Sequence, residues 1–252
     1  MDLFESARLV HMALGTIVLA SFWGAALARK GSPLHRRFGR AYVLAMAALL
    51  AATLVIAAGS VLAGNPMRGV FNVYVTLISV ASVWMAWSSV AHRDEFARYR
   101  GWPYKLICFA LGGYGLFLLT AVPKMGAPAR MAMVTAFAAL GLVIAGAMAW
   151  RLARGNDHAR WWLSEHLTAM SINFAATHAS FSILALSAVF PALREPWTRT
   201  AILVAWMTSA LVVRVWAGQR FLRDSGSTLS GAAGSQASPT EPAMAGRGLR
   251  AG

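Results

Sequence analysis

Seven apolar stretches, each long enough to cross a bilayer, constrain this chain more than any other feature. They run at approximately 6–28, 41–64, 70–91, 105–122, 129–152, 162–190 and 198–217. A spanning helix needs ~20 mostly apolar residues, and a helix satisfies all its backbone hydrogen bonds internally, as lipid demands. Turn and breaker residues separate the runs: Lys30-Gly31-Ser32-Pro33, Asn65-Pro66, Gly101-Trp102-Pro103, Pro123 to Pro128, Gly155-Asn156-Asp157 and Pro191 to Pro196. The sequence therefore predicts an all-α protein, a polytopic helical membrane bundle of seven transmembrane helices. Composition agrees, since 58% hydrophobic and 13% charged residues leave far more apolar surface than a soluble core could hide.

Charge sets the orientation. Odd-numbered connectors hold Arg29, Lys30, Arg36, Arg37 and Arg40, then Arg93, Arg98, Arg100 and Lys105, then Arg151, Arg154 and Arg160. The N-terminal end and the even connectors hold Arg8, Arg68, Lys124, Arg130, Arg194 and Arg199, six against twelve. Cytoplasmic loops carry the excess of Lys and Arg, so the N-terminus is placed outside and the C-terminus in the cytoplasm. The net charge of +14 then reads as topology and as attraction to anionic lipid headgroups at cytoplasmic connectors, with no nucleic-acid partner. Trp87, Trp102, Trp150, Trp161, Trp162 and Trp216 fall near proposed inner ends and Trp197 near an outer one, as interfacial belts do.

Two domains follow: a transmembrane helical domain at 1–217 and a disordered cytoplasmic tail at 218–252. From Ser225 onward the tail is mostly Gly, Ser, Ala and Pro with no aromatic residue, which cannot bury a core. The first run reads as a spanning helix rather than a cleavable signal, because Asp2 and Glu5 lead it and it is too long for an h-region. Cys108 is the sole cysteine, so an intrachain disulfide and a CxxC site are excluded.

Histidines inside apolar runs give the only strong hint of chemistry, because an ionisable group at membrane depth is costly. His11 lies in the outer part of the first run and His178 in the central-to-outer part of the sixth. His166 lies near the inner end of the sixth, and His35 in the first connector, just before the second run. Two pairs result, His11 with His178 and His35 with His166, at two depths. Neutral imidazole is a good axial ligand to iron, so these four residues are the candidate cofactor-binding set, with haem b as the candidate cofactor. At ~100° per residue His166 and His178 point about 120° apart, which places two cofactors on different sides of the sixth helix. Ser164, Ser171, His178 and Ser182 form one polar stripe of that helix, and His166, Asn173, Thr177 and Ser180 another. A helix polar on two sides belongs in the middle of the bundle, where those groups find partners. His92 and His158 neighbour Arg93-Asp94-Glu95 and Asp157 and read as solvated interface residues.

A first helix with His11, a connector with Lys30, Gly31, His35, Arg36, Gly39, Arg40 and Tyr42, and a late helix with His166 and Met170 resemble a family of bacterial multi-pass membrane proteins of unknown function. The similarity covers most of residues 6–190 and implies a helical bundle without an established activity. The histidine placement is analogous to that of two-haem membrane cytochromes. The bacterial cytoplasmic (inner) membrane is the expected location.

Four functions fit this pattern. A haem-binding or electron-transfer protein uses the four histidines and has a redox partner. A small-solute or proton transporter is disfavoured by the scarcity of buried carboxylates. A non-catalytic accessory subunit or homo-oligomer fits the close-packing Gly112-Gly113-Tyr114-Gly115. A metal-dependent membrane hydrolase has Ser164, Glu165 and His166 together but lacks a His-x-x-x-His pair. The charge bias makes one direct prediction. A reporter inserted at residues 29–33 is expected to read as cytoplasmic, and an extracytoplasmic signal there would overturn the orientation.

Overall fold

The computed structural model describes residues 3–124, 128–155, 159–191 and 195–222. Among them are seven long helices and one short one: α1 Leu3–Leu27, α2 Pro33–Leu62, α3 Pro66–Ala91, α4 Phe96–Tyr99, α5 Trp102–Ala121, α6 Pro128–Arg154, α7 Trp161–Val189 and α8 Pro196–Leu222, with a 3₁₀ turn at Val122–Lys124. No strand occurs among the described residues. Six segments are long and apolar enough to cross a membrane: α1, α2, α3, α4 with α5 (Phe96–Ala121), Met131–Arg154 of α6, and Trp197–Leu222 of α8. The seventh long helix, α7, is not among them, and it carries Glu165, His166, Asn173 and His178 along its length.

Helix ends follow local chemistry. Ser32 caps α2, its hydroxyl accepting from the His35 amide at 3.2 Å, and Pro33 occupies the first turn, where its missing N–H costs nothing. The helix thus starts well before residue 41, and His35 lies on its first turn rather than in a connector. Gly64 closes α2 at φ 77°. Its amide donates to Val61 O (3.0 Å) and that of Asn65 to Ser60 O (2.9 Å), the Schellman pattern that needs a left-handed residue. At the far end α8 continues through Leu222, past the boundary expected at 217; the rest of the expected tail, 223–252, lies outside the described residues, as does His158.

Packing runs in sequence from α1 through α2 to α3, then across to α7 and on to α8, while α5 and α6 pair beside α3. α7 lies against α3, α8 and α1, the central place its two polar stripes demanded. One apolar cluster joins α3, α5, α6 and the start of α7, including Tyr74, Tyr104, Leu111, Leu118 and Met148. A second joins α1 to α2 through Val18, Phe22, Tyr42, Met46 and Leu50. Met170 touches both clusters. Outward faces stay apolar, as Phe109 (80% exposed) and Leu44 (72%) show. Trp87, Trp102, Trp150, Trp197 and Trp216 are exposed as an interfacial belt requires, but Trp161 is buried. It begins the central helix and packs on Phe96 and Tyr99, with ring centroids 4.8 and 4.9 Å away.

Helices α3, α5 and α6 meet around Tyr74. Its hydroxyl donates towards Leu111 O (3.3 Å) and Ala138 O (3.4 Å), and Gly115 and Gly141 leave room for it, since a Cβ on either would collide with Oη. Small residues permit such close approach between helices in lipid. Gly115 therefore does pack closely, whereas Gly113 faces open space. Gly141→Ala is expected to destabilise the protein by about 1–3 kcal/mol through overpacking, read as a lower unfolding midpoint in detergent. Tyr74→Phe, which removes the nearest atom, should recover part of that loss.

Candidate functional site

His178 is held on both ring nitrogens. Nε2 accepts from the Trp23 indole N–H at 3.0 Å, so the proton sits on Nδ1, which donates to Phe174 O at 2.8 Å. Phe22, Trp23, Phe174 and Trp206 surround the imidazole with centroid distances of 5.7, 5.7, 4.4 and 4.8 Å. Burial of a polar ring is compensated here by its two hydrogen bonds.

His11 does not meet His178. Its Nδ1 shares a hydrogen bond with Thr53 Oγ1 at 3.1 Å, whereas His178 contacts Trp23, twelve residues further along α1 and so about 18 Å away along the axis. The expected outer pair is corrected accordingly: α7 is displaced along α1, and His178 lies level with the other end of that helix.

The remaining two histidines lie towards one end of the bundle, near the starts of α2 and α7. On the first turn of α2, His35 sets Nδ1 2.9 Å from Ala25 O. Lys30 Nζ donates to the same carbonyl at 3.4 Å and to Ala26 O at 2.5 Å. Both side chains thereby satisfy carbonyls in the last turn of α1, which have no helical partner. Burial holds the Lys30 ammonium below its ordinary value. Near the start of α7, His166 sets Nδ1 2.9 Å from Ala86 O of α3. A carbonyl at Nδ1 requires the proton there, so in the neutral imidazole it is Nε2 that presents the lone pair. Among the described residues neither Nε2 has a protein hydrogen-bond partner. Two turns after His35 on α2, Tyr42 is 2% exposed and its hydroxyl has no hydrogen-bond partner. Met170 follows His166 by one turn and packs against the Tyr42 cluster.

Ser164, Glu165 and His166, adjacent in sequence, face three ways. The Ser164 hydroxyl accepts from Arg214 Nη2 at 2.9 Å, Glu165 Oε1 pairs with Arg151 Nε at 2.6 Å, and His166 turns to α3. They do not converge on one reacting centre. Among the described residues no group of three or more His, Cys, Asp or Glu is placed to hold a metal ion. His92 stays local, with Nδ1 3.2 Å from Ser88 Oγ and 3.1 Å from its carbonyl.

The sequence reading missed the Glu165 network. Tyr99 donates to Oε2 at 3.1 Å, and Arg214 donates through Nε to Thr168 Oγ1 at 2.8 Å. A carboxylate inside an apolar run was itself the signal, because it demands a counter-charge. Arg151, assigned above to topology alone, supplies it.

Comparison of the chain with protein-family models, curated proteins and solved structures returns no match. Fold and site together define a helical bundle of the membrane-spanning kind, with two histidines, one near the start of α2 and one near the start of α7, each set on a backbone carbonyl through Nδ1. Glu165→Gln, which leaves Arg151 without its carboxylate, is expected to destabilise the bundle by about 3 kcal/mol in denaturant unfolding. Joint replacement with Arg151→Met should cost less than the sum of the two single changes.

Proposed function

We propose that this chain is a seven-span protein of the bacterial cytoplasmic membrane, N-terminus outside, that carries a b-type haem between α2 and α7 and passes single electrons to a redox partner. One observation carries the reading: His35 and His166 lie towards the same end of the bundle, and each sets Nδ1 on a backbone carbonyl while Nε2 has no protein hydrogen-bond partner among the described residues. A carbonyl holding Nδ1–H fixes the tautomer and the ring orientation of a ligating imidazole. When bound, the iron would supply reversible one-electron chemistry whose potential depends on its axial ligands and on burial.

The surrounding residues suit such a group. Tyr42 offers an unmatched hydroxyl, and Phe22, Met46 and Met170 supply apolar wall. Lys30, with Arg36 and Arg40 on the first turns of α2, offers cations for carboxylates at the basic end. The reading uses this pair alone. His178 would have to give up Trp23 to act as a ligand, and His11 faces Thr53. The test is the absorption spectrum of detergent-purified protein from haem-replete cells, oxidised and then dithionite-reduced. Sharp reduced b-type bands are expected in the parent and in His178→Phe, and their loss in His35→Ala and in His166→Ala. A colourless parent, or full absorbance in both alanine variants, would falsify the assignment.

A further inference from the structure

A cleft of about 270 Å³ lies among α3, α6, α7 and α8. Its walls are almost wholly apolar, built from Phe137, Ile144, Ile172, Leu203 and Met207, and it ends at Arg151 and Arg214 beside Thr168. Val143 (69% exposed) and Leu211 (65%) stand at its mouth, where α6 and α8 touch only lightly. The cleft thus opens sideways, towards what would be lipid. From Leu203 to Arg214, α8 rises about 16 Å, close to half of the ~30 Å hydrocarbon core, so the cleft is as deep as one leaflet with its cations at the headgroup end.

Charge decides what fits. Two guanidiniums, Arg151 and Arg214, share a single carboxylate, Glu165. Arg151 holds it directly. Arg214 hydrogen-bonds only the neutral Ser164 and Thr168 hydroxyls and makes no ion pair among the described residues. One positive charge is left over at the end of an apolar slot, and a guanidinium binds a phosphate oxygen pair well. We infer that this cleft binds an anionic phospholipid from the leaflet at the basic end of the bundle, one acyl chain lying between α6 and α8 and the phosphate on Arg214. The site needs the bundle to lie in a bilayer but is independent of any haem.

The experiment is thermal unfolding of the full chain in detergent with added phosphatidylglycerol, or with phosphatidylcholine or decanoate as controls. Phosphatidylglycerol is expected to raise the midpoint by about 3–5 °C, phosphatidylcholine of the same chains by less than half as much. Arg214→Gln should abolish the difference. Leu211→Trp, which blocks the mouth and keeps every charge, should abolish the phosphatidylglycerol shift. Equal shifts from both phospholipids, a preference that survives in both variants, or a shift from decanoate without one from phosphatidylglycerol would overturn the inference. Haem absorbance followed in the same samples reports separately on the histidine site.

Discussion

Arg151 and Glu165 meet at 2.6 Å with Glu165 only 4% exposed, and the placement of α7 depends on that pair. A buried carboxylate is costly until a cation and further donors reach it, and here Arg151 comes from α6, Tyr99 from α4, and the nearby Arg214 from α8. Three separate elements are therefore tied to the first turns of α7. Asn173 repeats the logic one stage further along, accepting from the Ser82 hydroxyl of α3 at 2.9 Å while donating to Ala169 O at 3.0 Å. A helix this polar has to be surrounded, and the bundle is arranged around it.

Where polar partners are not needed, shape takes over. Lipid tails are as apolar as leucine, so association between spanning helices rests on close packing and hydrogen bonds rather than on escape from water. The Tyr74 hydroxyl between Gly115 and Gly141 and the Phe38 ring against Gly24 are such contacts. Tyr104 and Tyr114 add hydroxyl bonds to Met148 O (3.3 Å) and Val70 O (3.0 Å). Each joins neighbouring helices through a backbone carbonyl that helical bonding already uses, which asks only for its second lone pair.

The four histidines show how one residue type divides by surroundings. His178 has an aromatic box and two hydrogen bonds, which make it a satisfied core residue. His35 and His166 each spend one nitrogen on a carbonyl near a helix end and keep the other. The difference lies at Nε2, which meets an indole N–H in His178 and has no protein hydrogen-bond partner among the described residues in His35 and His166. Tyr42, buried and unmatched two turns above His35, lies beside the cluster that Met170 enters, and its hydroxyl would need a partner supplied from outside the chain.

Apolar length and spacing alone determined the all-helical class, the seven long helices, the breaks after Lys30, Asn65 and Arg100 and the central place of α7, because those follow from local hydrogen bonding and from the cost of polar groups in lipid. Helical periodicity also separated His166 from His178 correctly: one faces α3 and the other α1. The start of α2 at Pro33 was legible in Ser32 and Pro33, yet the basic stretch after them hid it, since charge marks a connector as readily as it marks a first helical turn. Only the tertiary structure decided the partners. The offset between α1 and α7 put Trp23 rather than His11 opposite His178, and the approach of α6 to α7 turned Arg151 from a topology marker into the counter-charge of Glu165, while Arg214 of α8 reached the neutral Ser164 and Thr168 hydroxyls. Offsets between helices depend on side chains distant in sequence meeting at one depth, and no local pattern encodes that depth.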